Sequence, residues 1–549
     1  MRCFLVGLLL AATLPLLTQQ AHSPLSVSQV HLSISGIQDP SDSITVTWAT
    51  DVYAESYVQY SRTNDFTTPS QVQGITYTYP ASSRYYHVVQ LSGLTPSTTY
   101  YYRTGDPALG FGPVYSFTTA PVRGSQDRLT ITVYGDQGTQ SDSATVASMA
   151  DAESPQVSLL VGDTSYCSDQ QCEDYWFDIN EPLASGSLFM VAAGNHEYFD
   201  PDNMVTYLNR FNLPGADAPS ANVSDIHSER WYSFDWGSTH LVSIDLGDWE
   251  GASLDQSNVQ WLTADLEAAR NSPLTRWIIV FHHFAFYTSS TTHGIDDYHR
   301  STLEPLYLQY GVDLVLNGHE HNYERTHPVA NDVPSSTDPS SYGNPGAPIY
   351  IVEGRGGEGL YSTGNSFPWS AARFDQANGY TRIDIEGDVL TSTAFRIDTG
   401  QAIDSFSLIK GPFPVAQFEV SPESFAVGET LTFDASSSYH TNGTIAAYDW
   451  DFGDGTSATG KIVQHKYETV GTYTARLILT DTAGRRSSTT KLLNLAPRTQ
   501  PWFPLVIPQE ALMIGLGFAM GLPLSLIMFR MYRRLSRRSD FRLEKTVSR

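Results

Sequence analysis

Seven side chains at five points along this chain have the chemistry of metal ligands. They are Asp136 in GDQG, Asp163 and Tyr166 in GDTSY, Asn195 in GNHE, His283 in VFHHF, and His319 with His321 in GHEH. The aspartates offer anionic oxygen, the histidines imidazole, Asn195 a neutral carbonyl oxygen and Tyr166 a phenolate. No thiolate is among them, so the set does not suit a structural zinc cage. It suits hard or borderline ions such as iron, manganese or zinc. Phenolate is a strong donor to a trivalent ion, which points to Fe(III) beside Tyr166. Together the seven read as ligands for two ions, and two cations side by side activate water and neutralise a phosphate ester.

The ligands need elements to carry them. Each group follows a short apolar run, at 129–134, 157–161, 188–193, 277–281 and 312–316, with a further run at 241–244. These runs are dense in Val, Ile and Leu, as strands buried on both faces are. Sites on an α/β sheet gather where strands end. Gly135, Gly162, Gly194 and Gly318 each precede a ligand, where the missing side chain lets the chain turn sharply off a strand and lets metal or phosphate approach the backbone. His319 and His321 are two apart and face one side of an extended backbone. Residues 254–270 place Val259, Leu262, Leu266 and Ala269 on one helical face. Strand and helix alternation predicts a layered α/β domain over 127–410.

Flanking segments read differently. Residues 24–121 alternate apolar and polar in short runs around Trp48, predicting a fibronectin III-like β-sandwich. Residues 412–497 return to alternation and predict a second sandwich. Its Trp450-Asp-Phe-Gly-Asp-Gly455 contains a kinase-like triplet, but no Gly-rich loop, strand lysine or catalytic loop accompanies it. Asp-Gly there reads as a tight turn and Trp450 as a core residue.

GDQG, GDTSY, GNHE, the histidine after WIIVF, and GHEHNYER are together similar to the signature of purple acid phosphatases, within the calcineurin-like metallophosphoesterases. The likeness covers 24 to about 410, and the segment 412–497 resembles a PKD domain. The resemblance implies an Fe(III) site of Asp136, Asp163, Tyr166 and His321. It implies a divalent site (Fe, Zn or Mn) of Asp163, Asn195, His283 and His319, with Asp163 as the bridge. It implies that His196 and His293 contact phosphate and that a protonated His293 serves the leaving group. His282 falls at a non-ligand position. Two departures stand out: Thr292 precedes His293 where many members have a second histidine, and Ala285 replaces a usual proline. The implied activity is hydrolysis of phosphate monoesters at acid pH. A phosphodiesterase or nucleotide hydrolase on the same site is the alternative, and a non-enzymatic surface adhesion protein built on the two sandwiches is a third reading.

Composition limits partners and place. A chain of 549 residues exceeds one core. Net charge is −26, and the segment after Phe529 holds eight Arg or Lys against two acids, so the remainder carries about −32. Such a body argues against a nucleic-acid backbone as partner. Residues 1–23 read as a secretory signal, with Arg2 before an apolar stretch; an uncleaved anchor is the alternative. Residues 498–510 read as a proline-rich linker. Residues 511–529 are uncharged and as helix would span roughly 28 Å, one bilayer core, with a GxxxG at Gly517 and Gly521. The basic tail 530–549 would stay cytoplasmic and the catalytic domain extracellular, making a single-pass cell-membrane protein. Cys3 leaves with the signal, and Cys167 and Cys172 remain as an even pair that reads as a disulfide pinning the loop beside Tyr166. Sequons at Asn222 and Asn442 are no more than chance supplies in a chain of this length. The PKD-like segment is expected to contact protein or glycan, or to space the enzyme from the membrane.

Overall fold

The computed structural model describes residues 25–497, apart from 36–38, 81, 200–203, 216–228, 250–253, 412–413, 423–424, 441–442 and 483–484. The signal-like run, the linker, residues 511–529, the basic tail and both sequon asparagines fall outside the described residues. No helix among the described residues is long and apolar enough to cross a membrane.

Two sheets form the centre. In one, Leu129–Tyr134, Val157–Leu160 and Leu188–Val191 run parallel, and Leu129–Tyr134 also pairs antiparallel with Gly379–Glu386. In the other, Thr239–Ser243, Trp277–Phe281, Leu314–Asn317 and Ile349–Glu353 run parallel. The apolar runs lie inside because both faces of each strand are covered. On the second sheet Leu241, Ile279, Phe281, Leu314 and Leu316 face a core shared with Ile131, Val133 and Leu159 of the first. Their alternates Val242, Ile278, Val280 and Val315 join Leu262, Leu266, Leu303 and Tyr307 of the outer helices in a second core. The two sets alternate along each strand, the period that side chains on a pleated strand must show.

The helix predicted at 254–270 spans Gln256–Asn271 and starts where Asp255 accepts from the Ser257 N–H. Leu262, Leu266 and Ala269 are buried, and Val259 is half-buried.

The N-terminal β-sandwich is present, but its boundary with the central domain is not a gap. Strand Val27–Ser33 pairs parallel with Leu188–Val191 through Leu32 and Leu188, so one eleven-stranded sheet runs from the sandwich into the catalytic domain. Alternation within 24–121 gave no sign of this, because it reports which face a residue takes and not which strand lies beside it.

The third body is a separate sandwich. Ile445–Asp451, Gly471–Asp481 and Arg486–Leu495 form its larger sheet, Glu419–Ser421, Thr430–Asp434 and Ile462–Lys466 the smaller. Trp450 sits in its core and donates from Nε1 to the Gly460 carbonyl at 2.8 Å. The Asp-Gly segment is the turn between Ile445–Asp451 and Ser457–Thr459, with Gly453 and Gly455 at φ of 75° and 86°. A groove of about 620 Å³ opens where this sandwich meets the central domain, lined in part by Arg276, Asp313, Lys410 and Tyr439.

Candidate metal centre

All seven predicted ligands converge at one rim, each just past the C-terminal end of a strand. His283 Nε2 lies 3.0 Å from Asn195 Oδ1, 3.2 Å from Asp163 Oδ2 and 3.2 Å from His319 Nδ1. Tyr166 Oη lies 3.1 Å from Asp136 Oδ1, 3.0 Å from Asp163 Oδ2 and 3.1 Å from His321 Nε2. His321 Nε2 is 3.4 Å from Asp136 Oδ1. The atoms therefore fall into two groups, and Asp163 Oδ2 touches both.

The backbone is shaped for this convergence. Asp136, Asp163, Tyr166 and His319 are all left-handed, with φ of 54°, 51°, 53° and 69°. Non-glycine residues adopt that region at a cost of about 1–3 kcal/mol each, and only where surroundings enforce it. The preceding glycines make room. A Cβ on Gly162 would come within 2.5 Å of His283 Nδ1, and one on Gly318 within 2.6 Å of Asp136 Oδ2. The sequence reading had glycine admitting metal or phosphate; what these two admit is the ligand side chains themselves.

A second layer of groups aims the ligands. His283 Nδ1 bonds the Val161 carbonyl at 2.9 Å and His321 Nδ1 the Gly359 carbonyl at 2.7 Å. Each ring then donates from Nδ1 and turns Nε2 to the cluster. Glu197, the last residue of GNHE, is buried and accepts from the N–H groups of Gly194, Asp163 and Thr164 at 2.6, 3.0 and 2.8 Å. It ties two ligand-bearing turns together. Burial and the Asp163 charge push its carboxyl up, and the donated hydrogen bonds oppose them. Asp163 also accepts from the His196 N–H at 2.8 Å. The disulfide Cys167–Cys172 forms, with Cα atoms 5.5 Å apart, between Tyr166 and the helix Gln170–Ala184.

Two buried carboxylates, Asp136 and Asp163, draw positive charge into the cluster. Among the described residues no lysine or arginine pairs with Asp136 or Asp163; their ionic neighbours are histidines. Burial opposes a proton on His283, yet Asp163 and Asp136 overcome it and raise the ring to about 10. Burial, then the same two carboxylates, holds the Tyr166 phenol far above its ordinary value. Asp163 is pushed up by burial and more strongly down by His283, ending well below the usual carboxylate range. Protons thus stand where positive charge is wanted, and cations would displace them. The donor types and their convergence fit metal: Asp163, His283 and His319 alone could hold one ion, their ligand atoms lying within 4.8 Å of one another.

His196 and His293, expected to contact phosphate, each lie against a ring of the cluster. His196, with its side chain 36% exposed, lies 4.0 Å ring to ring from Tyr166. His293 is exposed and lies 4.2 Å from the His319 ring. His282 turns away: its Nδ1 lies 3.1 Å from the Phe284 carbonyl and 2.9 Å from the Asn317 amide nitrogen, and burial lowers its pKa to about 3. Tyr361 escaped the sequence reading. It stacks on His321 at 4.0 Å and 8°, with His293 5.6 Å away. A tyrosine after Gly-Leu carries no local signal; only its partners mark it.

Known proteins resemble this chain in sequence and fold. Residues 27–119 match the family described as Purple acid Phosphatase, N-terminal domain, 129–323 the Calcineurin-like phosphoesterase family, 347–405 the Iron/zinc purple acid phosphatase-like protein C family, and 412–495 the PKD domain family. Acid phosphatase type 7 of Homo sapiens is 32% identical over 389 residues, covering 65% of this chain and 84% of that protein. This chain belongs to the purple acid phosphatases. Purple acid phosphatase 18 of Arabidopsis thaliana is 32% identical over 60% of this chain and 72% of its own length. The structure of purple acid phosphatase PPD1 from yellow lupin seeds shares the fold, with a TM-score of 0.61 at 22% identity over 70% of this chain and 74% of that one. Purple acid phosphatases use a dinuclear metal centre, and this member is an acid phosphatase with such a site and an added PKD domain. The reading as a non-enzymatic adhesion protein falls with that assignment.

Proposed function

We propose that this protein is an outward-facing, membrane-tethered phosphomonoesterase. In this reading Asp136, Asp163, Tyr166 and His321 hold Fe(III), and Asp163, Asn195, His283 and His319 hold a divalent ion. The observation that carries it is the place of Asp163 Oδ2, in contact with Tyr166 on one side and His283 on the other. When bound, such a pair supplies a nucleophile from water at acid pH and neutralises phosphoryl charge.

The chain's own groups do the rest. His196, beside Tyr166, donates a hydrogen bond to a phosphoryl oxygen. His293, beside His319 and open to solvent, donates its proton to the departing alkoxide oxygen. Tyr361 walls the site between His321 and His293. Residues 1–23 direct the chain out of the cytoplasm, 511–529 anchor it, and 530–549 stay inside. The PKD domain contacts protein or glycan beyond the membrane surface.

Full-length protein in detergent, loaded with iron and zinc, is to be given p-nitrophenyl phosphate and bis-p-nitrophenyl phosphate from pH 4 to 8. The monoester should be cleaved at least tenfold faster, fastest below neutrality. Faster cleavage of the diester would replace this reading with the phosphodiesterase one. Protease added to intact cells should remove the catalytic domain and spare a C-terminal tag; the reverse pattern overturns the topology.

A further inference from the structure

His293 is an exposed side chain on a surface loop, yet its ring sits 4.2 Å from a buried one. Something must hold the loop. Before His293 the hold is a neighbouring segment and a buried acid. Thr291 N–H donates to the Ser362 carbonyl at 3.1 Å, Gly364 N–H to the Ser289 carbonyl at 2.6 Å, and Ser290 bridges Thr363. Ser289 donates from its N–H and hydroxyl to Glu324 at 2.5 and 2.9 Å. After His293 the chain runs into Gly294, at φ 125°, where an added Cβ would meet nothing within 4 Å. Beyond it Ile295 packs against the second core and the Asp296 N–H donates to the Ala285 carbonyl at 3.0 Å.

At Gly294 itself a carboxylate takes the backbone N–H. Glu320, between His319 and His321, is fully buried, and its Oε1 accepts from the Gly294 N–H at 2.7 Å. Its Oε2 has no hydrogen-bond partner among the described residues. Burying a carboxylate with one oxygen unbonded is costly, and an apolar residue between two ligands would avoid that cost. What Glu320 supplies is a link from the turn that carries two metal ligands to the residue next to His293. Thr292 is no imidazole, so this loop offers one histidine and its placement matters more.

We propose that Glu320 is a positioning residue, which through the Gly294 amide sets His293 over His319 for its role with the leaving group. This rests on the phosphomonoesterase reading. Glu320→Ala should speed deuterium exchange in a peptide covering residues 289–296, with or without metal, and leave metal content unchanged. It should lower kcat tenfold to a hundredfold, the scale of a group misplaced by about 1 Å, with KM little changed. Added to His293→Ala it should cost nothing more. Glu320→Gln keeps an acceptor oxygen and should rescue both exchange and kcat.

Loss of metal in Glu320→Ala, or a full further loss on top of His293→Ala, would overturn the proposal. So would unchanged exchange. If Glu320→Ala fails to fold, Glu320→Gln decides: a tenfold loss of kcat with metals intact means that charge, not the acceptor, is at work, and the idea fails. A wild-type protein inactive on every ester would sink the functional reading alone, since exchange in 289–296 still reports the tie.

Discussion

Asp163 is the residue on which the centre turns. One of its oxygens meets Tyr166 and His283, and the other takes the His196 N–H. Asp163→Asn keeps the shape and removes the charge. Groups that merely orient a ligand cost 10–100-fold in metal affinity or activity. A shared ligand should therefore cost at least about a hundredfold. Elemental analysis and phosphatase rate check this together; full rate with full metal would show that Asp163 is no bridge. Tyr166 permits a spectral test. Its phenol, deprotonated on iron, should give a visible tyrosinate-to-iron band, and Tyr166→Phe should abolish the band while leaving iron in place through Asp136, Asp163 and His321. A band that survives the change places the iron elsewhere.

At the scale of elements, the hairpin Tyr232–Trp236 and Thr239–Ser243 is fastened to helix Gln256–Asn271 by one buried imidazole. His240 bonds Asp235 at 2.8 Å and the helix residue Asp265 at 2.9 Å. Burial opposes its charge, but the two hydrogen-bonded carboxylates raise its pKa to about 9. The folded value lies above the unfolded one, about 6.5. The stabilisation is therefore complete below about pH 6.5, declines as pH rises, and is gone above the folded value of about 9. Its size is on the order of 3 kcal/mol. Thermal melts of wild type and His240→Asn should differ most below pH 6.5 and converge by about pH 9.5. A constant gap across that range would mean that His240 acts by packing alone.

In the whole molecule the two sandwiches are attached in different ways. The N-terminal one shares both sheet and core with the catalytic domain, its Val30, Leu32, Val46 and Trp48 lying in one cluster with Ile131, Leu159 and Phe189. Tyr102 Oη also donates to the Ser185 carbonyl at 2.8 Å. The PKD sandwich has a cluster of its own around Trp450 and Phe433, and meets the catalytic domain partly through loops, where Arg476 and Ser488 donate to the Ser335 carbonyl. Deleting residues 24–121 should yield insoluble protein, because strand Leu188–Val191 becomes an unpaired apolar edge. Deleting 412–497 should leave a folded enzyme in detergent with kcat within about twofold of wild type, since that sandwich packs around a core of its own. Soluble, active protein from the first deletion would show that the shared sheet is dispensable.

The seven donors that converge were legible because their signals are local. Gly-Asp, Gly-Asn-His and Gly-His-x-His put an unusual donor directly after a glycine and an apolar strand, and neighbours in sequence suffice to show it. What the chain alone did not disclose depends on contacts between distant residues. The pairing of Leu32 with Leu188, the stacking of Tyr361 on His321 and the bond from Gly294 to Glu320 join separate segments. The left-handed backbone at Asp136, Asp163, Tyr166 and His319 belongs to the same class, since each would relax without its surroundings. Local sequence decided which donors stand at which strand ends; only packing, by closing the sheets on one another, decided that seven of them share a few ångströms and which neighbours hold them there.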